Sequence, residues 1–176
     1  MNPRQELDLV ARAQGGDREA LGALWDELTP KLFGYLVNVT GDRSLAEDLL
    51  QSTWLNAINA LPNFRERGQG IAPWLFAIAR NECRQHWRRA KYEPKLLEND
   101  YDAPAEDRPA DGELMVEQAL SLLAEDDREL LRLRYIADLP VKEVAKVLNI
   151  NSVAVRVRLH RAIARARAAV SRTNFK

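Results

Sequence analysis

Two segments of this chain carry arginine at spacings that suit phosphate. Arg80, Arg84 and Arg88 stand at i, i+4 and i+8, with Arg89 and Lys91 beyond, and Arg156, His160, Arg161 and Arg167 load a second segment near the C-terminus. Residues four apart share one face of a helix, so each row repels itself, by roughly a few tenths of a kcal/mol per like pair, until an anion neutralises it. A nucleic-acid backbone is the anion that fits an extended row. No acidic residue follows Glu143, so the second row has no local counter-charge. The plainer alternative for both rows is a solvated basic face, tied in the first case to Glu82 or to the acidic stretch beyond it.

The second row lies in a pattern with the spacing of a helix-turn-helix. Pro140 suits a helix start, Val144, Ala145, Val147 and Leu148 make an apolar face, and Asn149 tolerates the positive φ of a tight turn. Ser152 is placed to cap the next helix, in which Val155, Leu159, Ala162 and Ala166 form one stripe. Arg156, Val157, His160, Arg161 and Arg167 fall on the opposite face. Ala145 sits where two helices crossing over a short turn approach closely, which calls for a small side chain.

Two further surfaces stand out in the N-terminal half. Ser44 and Glu47 have capping-box spacing, and the helix they open should bury Leu50, Trp54, Ala57, Ile58 and Leu61. Its far side carries Asp48, Gln51, Ser52, Leu55 and Asn59, a polar face with one large apolar residue at its centre. That is the anatomy of a docking surface, although an isolated exposed leucine is also ordinary. Residues 62–70 form a loop bounded by turn formers and containing Phe64, Arg65 and Arg67. Phe64 can stack on an unpaired base or fold back as a plug over the core, and the sequence leaves both readings open. The helix after the loop turns Trp74 and Ile78 inward and brings Asn81 to the edge of that face.

Catalytic chemistry finds no support. His86 and His160 lie outside any cluster with metal-ligand spacing, there is no glycine-rich phosphate loop, and Cys83 on a helix beside basic residues reads as structural. The expectation is therefore no enzyme, no cofactor and no metal. A single cysteine also excludes an internal disulfide. No signal-peptide pattern and no bilayer-length apolar run are present, so the sequence is expected to be cytoplasmic, without membrane insertion.

The elements that must position these residues are helical. The chain has 176 residues, 46% of them apolar, and 26 basic against 26 acidic residues, with almost no alternating β-branched run. The fold class is all-α. Leu7, Val10 and Ala11 begin a first stripe, Gly15 and Gly16 interrupt it, and Asp17 caps a helix carrying Leu21, Leu24, Trp25 and Leu28, with Pro30 and Gly34 falling within its continuation toward Val39. Residues 1–91 form one helical domain and 112–176 a second, beginning with a helix through Leu114 to Leu123 and another capped within Asp126 to Glu129. Residues 92–111, with Pro94, Pro104, Pro109 and excess acid, form a linker. Fully extended, such a segment reaches roughly 65 to 70 Å, about two turns of duplex, so two basic domains can read separated segments of one DNA.

Taken together, these segments resemble the bacterial RNA polymerase sigma factors of the small extracytoplasmic-function (ECF) class. The resemblance runs from about Leu9 to Ala168. It rests on residues 46–51 (AEDLLQ), on Phe64-Arg65, on 74–81 (WLFAIARN), on 128–135 (RELLRLRY), on Glu143-Val144-Ala145 and on 158–162 (RLHRA). It implies a region 2-like bundle and a region 4-like helix-turn-helix domain. By the same resemblance Asp48, Gln51, Ser52, Leu55 and Asn59 dock on core RNA polymerase. Phe64, Arg65, Arg67, Arg80, Asn81, Arg84 and Arg88 serve the melted upstream promoter element, with a flipped base captured by the Phe64 loop and the Asn81 helix. Arg156, Val157, His160 and Arg161 face the more distant element in the major groove, and the linker threads the polymerase near the RNA exit path. The resemblance further implies a monomer when free and control from outside by an anti-sigma protein, since the chain ends soon after the recognition helix.

Several positions depart from the family pattern. Val153-Ala154 replaces the usual Gly-Thr, Val157 a small hydroxyl residue, Gln85 a frequent aspartate and Ala124 a frequent proline. Extra methyls in the groove favour thymine methyl contacts. Two rival readings are a stand-alone helix-turn-helix regulator that binds duplex DNA without polymerase, and a sigma-mimicking adaptor that sequesters a regulatory protein. The first lacks an evident dimer seam or ligand domain, the second a receiver domain.

Overall fold

The computed structural model describes residues 3–65, 70–92 and 123–173. The expected helix from Leu114, most of the linker and Arg67 lie outside these residues. Among the described residues the regular structure is helical throughout: α1 (Pro3–Gln14), α2 (Arg18–Thr40), α3 (Arg43–Ala60), a 3-10 turn (Leu61–Asn63), α4 (Ile71–Tyr92), α5 (Glu125–Leu131) running into a π turn (Arg132–Ile136), α6 (Val141–Leu148) and α7 (Ser152–Thr173). The all-α expectation holds.

Helix ends obey local chemistry, though not always at the expected residue. The Asp17 carboxylate accepts from the N–H groups of Glu19 and Ala20, as its position suggested. Helix α2 then runs unbroken through Pro30 to Gly41, where a φ of 67° ends it. Pro30 is exposed, so the carbonyl one turn back that lacks an N–H partner can turn to water. The next helix starts at once, with Asp42 rather than Ser44 as its cap: the Asp42 carboxylate accepts from the Leu45 N–H at 3.1 Å. Glu47 pairs with Arg43 instead of reaching back to the backbone. Helix α5 starts at Glu125 after Ala124, with no side-chain cap, so the Asp126–Glu129 cap is not used.

The N-terminal half packs α2, α3 and α4 through Leu24, Leu28, Leu32, Leu36, Leu49, Trp54, Leu75 and Phe76, all buried. The α3 face is rotated from the one expected. Leu49 and Thr53 are buried with Trp54 and Ala57, Leu50 is half-buried, and Ile58 is 40% exposed. Thr53 fits an apolar core because its hydroxyl donates to the Leu49 carbonyl at 2.6 Å. Two side chains of the first helix fix the segment between α3 and α4. The Glu6 carboxylate accepts the Ile71 N–H at 2.6 Å, capping α4 from another helix. Gln14 donates to the carbonyls of Leu61 and Phe64 and so pins the turn.

In the C-terminal half, α6 and α7 cross over Asn149, which has φ 54° and ψ 46°. Val144, Ala145 and Val147 face Val155, Leu159 and Ala162, all buried. Asn151, not Ser152, caps α7 by accepting the Ala154 N–H at 2.7 Å. The buried apolar residues of both halves form one connected cluster, joined where the π turn meets α2 and where α6 meets α4.

The turn at Asn149 is testable, since a β-carbon in the left-handed region costs roughly 1 to 2 kcal/mol unless the residue is glycine or asparagine. Asn149→Gly should leave the urea midpoint close to that of the parent chain. Asn149→Val should lower stability by about 1 kcal/mol or more, and an unchanged midpoint would refute the role of this turn.

Candidate nucleic-acid interface

The outer face of α7 is displayed as the sequence suggests. Arg156, Val157, His160 and Arg161 are all exposed, and the stripe behind them is packed against α6. Val153, at the helix start, is 62% exposed and extends the face with a further methyl-bearing side chain. The helix is fastened at its other end by an ion pair between Arg165 and Asp127 of α5. A rigid helix with one dry face and one arginine-bearing face is the arrangement that enters a major groove.

The α3 face singled out in the sequence is likewise turned outward. Asp48, Gln51, Leu55 and Asn59 are exposed and Ser52 is half-buried, with Leu55 56% exposed. Sequence periodicity missed the size of the apolar patch here. Ile58 lies one helical turn from Leu55 and faces outward, and Trp25 of α2, 39% exposed, stacks on Trp54 with ring centroids 4.7 Å apart. The signal was the placement of Ile58 on a face with Leu55 at i, i+3, which competed with its apolar character.

The expected melted-element residues divide. Arg65, Asn81, Arg84 and Arg88 are exposed. Phe64 is 8% exposed and packs on Trp74 with centroids 4.8 Å apart, so in this structure it is the plug and not a displayed base-stacking ring. The cause is tertiary: Gln14 of α1 holds the Leu61 and Phe64 carbonyls, and Trp74 of α4 offers an aromatic partner. Arg80 is not part of a free stripe. Its Nε lies 3.2 Å from Glu129 Oε1 of α5, with the Arg80 side chain 22% and that of Glu129 11% exposed. Tyr35 Oη donates to the same carboxylate oxygen at 2.8 Å. Arg132, beside it, donates to Asn38 of α2 at 3.0 Å and to Glu125 at 2.6 Å.

The electrostatics of this junction are marked. Burial, and then the neighbouring Glu129 charge, push the Tyr35 phenol well above its ordinary range. Burial first and Glu129 second push the Cys83 thiol up to about 12, so at neutral pH it is an inert thiol, in keeping with a structural role. Farther along the junction, burial and then the Glu6 carboxylate raise the Glu143 carboxyl of α6, with Lys146 and Lys31 pulling it down. No group of three or more His, Cys, Asp or Glu side chains able to hold a metal is found among the described residues, nor is any described helix long and apolar enough to cross a membrane.

Two faces are thus segregated, an arginine-bearing helix in a helix-turn-helix on one half and a mixed apolar and polar patch on the other. The family model for Sigma-70 region 2 matches residues 24–92, and that for Sigma-70, region 4 matches 113–165. The chain is 32% identical over 174 residues to the ECF RNA polymerase sigma factor SigD of Mycobacterium tuberculosis, covering 92% of this chain and 82% of that one. It is 27% identical over 165 residues to the ECF RNA polymerase sigma factor BldN of Streptomyces coelicolor, where 89% of this chain spans 62% of the relative. Among solved structures it is similar to CnrH in complex with the cytosolic domain of CnrY, at 26% identity and a TM-score of 0.74, covering 95% of this chain and 97% of that one. RpoE of Bartonella quintana in complex with the anti-sigma factor NepR shares the fold, with a TM-score of 0.66 at 23% identity over 86% of this chain and 96% of that one. The chain belongs to the ECF sigma factors of RNA polymerase. Proteins of this family bind core RNA polymerase and promoter DNA and direct transcription initiation.

The raised Glu143 carboxyl gives a signed expectation. Its contribution is full below the ordinary value of 4.5 and is lost as pH rises through the higher folded value. Glu143→Gln should therefore raise the melting temperature at pH 7, with the gain shrinking toward pH 4. A gain that is independent of pH would reject this assignment.

Proposed function

We propose that α3 docks on core RNA polymerase through Asp48, Gln51, Ser52, Leu55 and Asn59, extended by Ile58, while α7 reads the distal promoter element through Arg156, Val157, His160 and Arg161. The observation that carries this reading is Leu55, 56% exposed at the centre of a polar face that the chain's own core does not use. A leucine so placed has water to lose when a partner covers it. A stand-alone duplex regulator has no use for that face.

Arg65, Asn81, Arg84, Arg88 and, once freed, Arg80 serve the melted strand, with Arg67 of the same loop. Phe64, packed on Trp74, anchors the chain next to Arg65. Basic side chains supply affinity without sequence information, whereas groove contacts and capture of an unstacked base supply choice. Melting then needs no covalent step: preferential binding of the open strand shifts the duplex equilibrium. The protein acts in the cytoplasm, as a regulator without catalysis of its own. An anti-sigma polypeptide controls it, a reading supported by the likeness of the whole chain to CnrH in its partner-bound form. Failure to recover any such inhibitor with the protein from its native host counts against that control.

Comigration with sigma-free core polymerase on a sizing column tests the docking face. The parent chain should form a stable complex, and Asp48→Arg combined with Leu55→Arg should lose it while keeping its helical circular dichroism. Retention by the variant would refute the face; absence of any complex, with duplex binding kept, would favour the stand-alone regulator.

Groove reading is tested separately on a promoter selected by the holoenzyme. Arg156→Ala should cost about 1 to 3 kcal/mol, focused on one base position if the arginine reads a guanine edge. A uniform loss across sequences would assign it to phosphate instead.

A further inference from the structure

The Arg80 row and the acidic helix α5 meet across the junction between the two halves. Arg80 is the member of the row drawn out of solvent, whereas Arg84 and Arg88 remain exposed. What draws it is Glu129, which comes from the other half of the chain and is itself nearly covered. Tyr35, 94 residues away in sequence, donates to the same oxygen. A carboxylate that receives an arginine and a phenol hydroxyl is satisfied in the way a phosphate oxygen is satisfied by a protein. Arg132 adds a neutral link to Asn38 beside it. The α5 first turn, with Glu125 and Asp126, lines the same groove as Arg84 and Trp87.

We propose that Glu129 is an intramolecular stand-in for a promoter phosphate, and that its bonds to Arg80 and Tyr35 form a latch that holds the two halves closed over part of the α4 arginine row. The inference rests on the reading of Arg80 as a nucleic-acid contact. Nucleic acid and Glu129 then compete for one guanidinium, and linkage makes the competition reciprocal: whatever opens the latch tightens strand binding, and strand binding opens the latch. The apparent affinity of the closed chain is reduced by the fraction of molecules that are open.

The closed state carries an opposing element that makes such a latch releasable. At the same junction burial first, and then the Glu6 charge, disfavour the Glu143 carboxylate, with Lys146 and Lys31 acting the other way, so opening that returns Glu143 to water relieves this cost. Closure thus sets the Glu129 contacts and the shared apolar cluster against the covering of the Glu143 carboxylate. The α3 docking face stays exposed while the latch is shut.

The test uses the full chain in a Cys83→Ala background, because Cys83 lines the junction groove and would be uncovered on opening, with spin labels at Ala60→Cys and Ala164→Cys, both exposed positions, one in each half. Pulsed dipolar distances and binding of a fluorescent, mixed-sequence single-stranded DNA are read together. The parent chain should show one short distance population. Glu129→Gln should shift it to longer, broader distances and tighten strand binding by about three- to tenfold, the change expected if the open fraction rises by that factor. Tyr35→Phe should move both readouts the same way by less. Arg80→Gln should also open the chain, but weaken strand binding. The swap of Arg80→Glu with Glu129→Arg should restore the short distance, which separates loss of the latch from loss of the fold. An unchanged distance in Glu129→Gln, or a parent chain that is already open, overturns the latch. If Arg80→Gln opens the chain without weakening strand binding, the latch stands and the assignment of Arg80 to nucleic acid falls.

Discussion

Arginine gathered on helix faces demands carboxylate somewhere, and in this protein one short helix supplies it in two directions. Asp127 of α5 takes Arg165 of α7, while Glu129, two residues on, takes Arg80 of α4. Both carboxylates are mostly buried. A buried carboxylate without a partner is costly enough to unseat a helix, so α5 can occupy its place only where both arginine helices meet it. The fixed position of α5 in turn sets the π turn against α2 and α6 against α4. The connected apolar core across the two halves is the consequence of that charge arrangement as much as of leucine packing.

The α3 and α7 faces proposed for partners are clean because the core faces behind them are complete. On α3, Ala46, Leu49, Thr53 and Ala57 make a close-packed face with little room to rotate, so the opposite side chains keep their directions. On α7 the same job is done by Val155, Leu159 and Ala162, with Asn149 setting the crossing. A reading helix must hold its side chains within a fraction of an ångström to discriminate bases, and packing on α6 together with the Arg165 anchor supplies that rigidity.

Much of this was legible from residue spacing, because the signals involved are local. The helix-turn-helix, the positive φ at Asn149, the Asp17 cap and the outward faces of α3 and α7 all arise from periodicity and from what one residue type does to its own backbone. The misreadings were of two kinds. Ser44 and Asp42 are both good caps two positions apart, and only the end of α2 at Gly41 decides which one lies at the start of α3. Ile58 and Phe64 show the second kind: apolar character does not say which face is covered, and the answer came from neighbours distant in sequence, Gln14 and Trp74 for the ring. The Arg80 pair was beyond reach for the same reason. Its partners, Tyr35 and Glu129, belong to segments whose approach no periodicity reports.

The geometry also orders the events that the proposed roles require. With the halves closed, Leu55 and its polar surround face solvent, so the polymerase can meet α3 without any rearrangement of the chain. Arg80 is different, since it is engaged until Glu129 leaves. A surface that is open in both arrangements binds its partner equally in both and cannot by itself shift the equilibrium between them. Docking through α3 alone therefore recruits the closed protein, and opening must be driven by contacts that discriminate, such as polymerase surfaces that hold the two halves apart or nucleic acid that replaces Glu129 on Arg80. On the proposed roles, recruitment and strand capture are thereby separated within one small chain: the first uses a face that is open before the latch is released, the second an exchange of one anion for another that salt weakens.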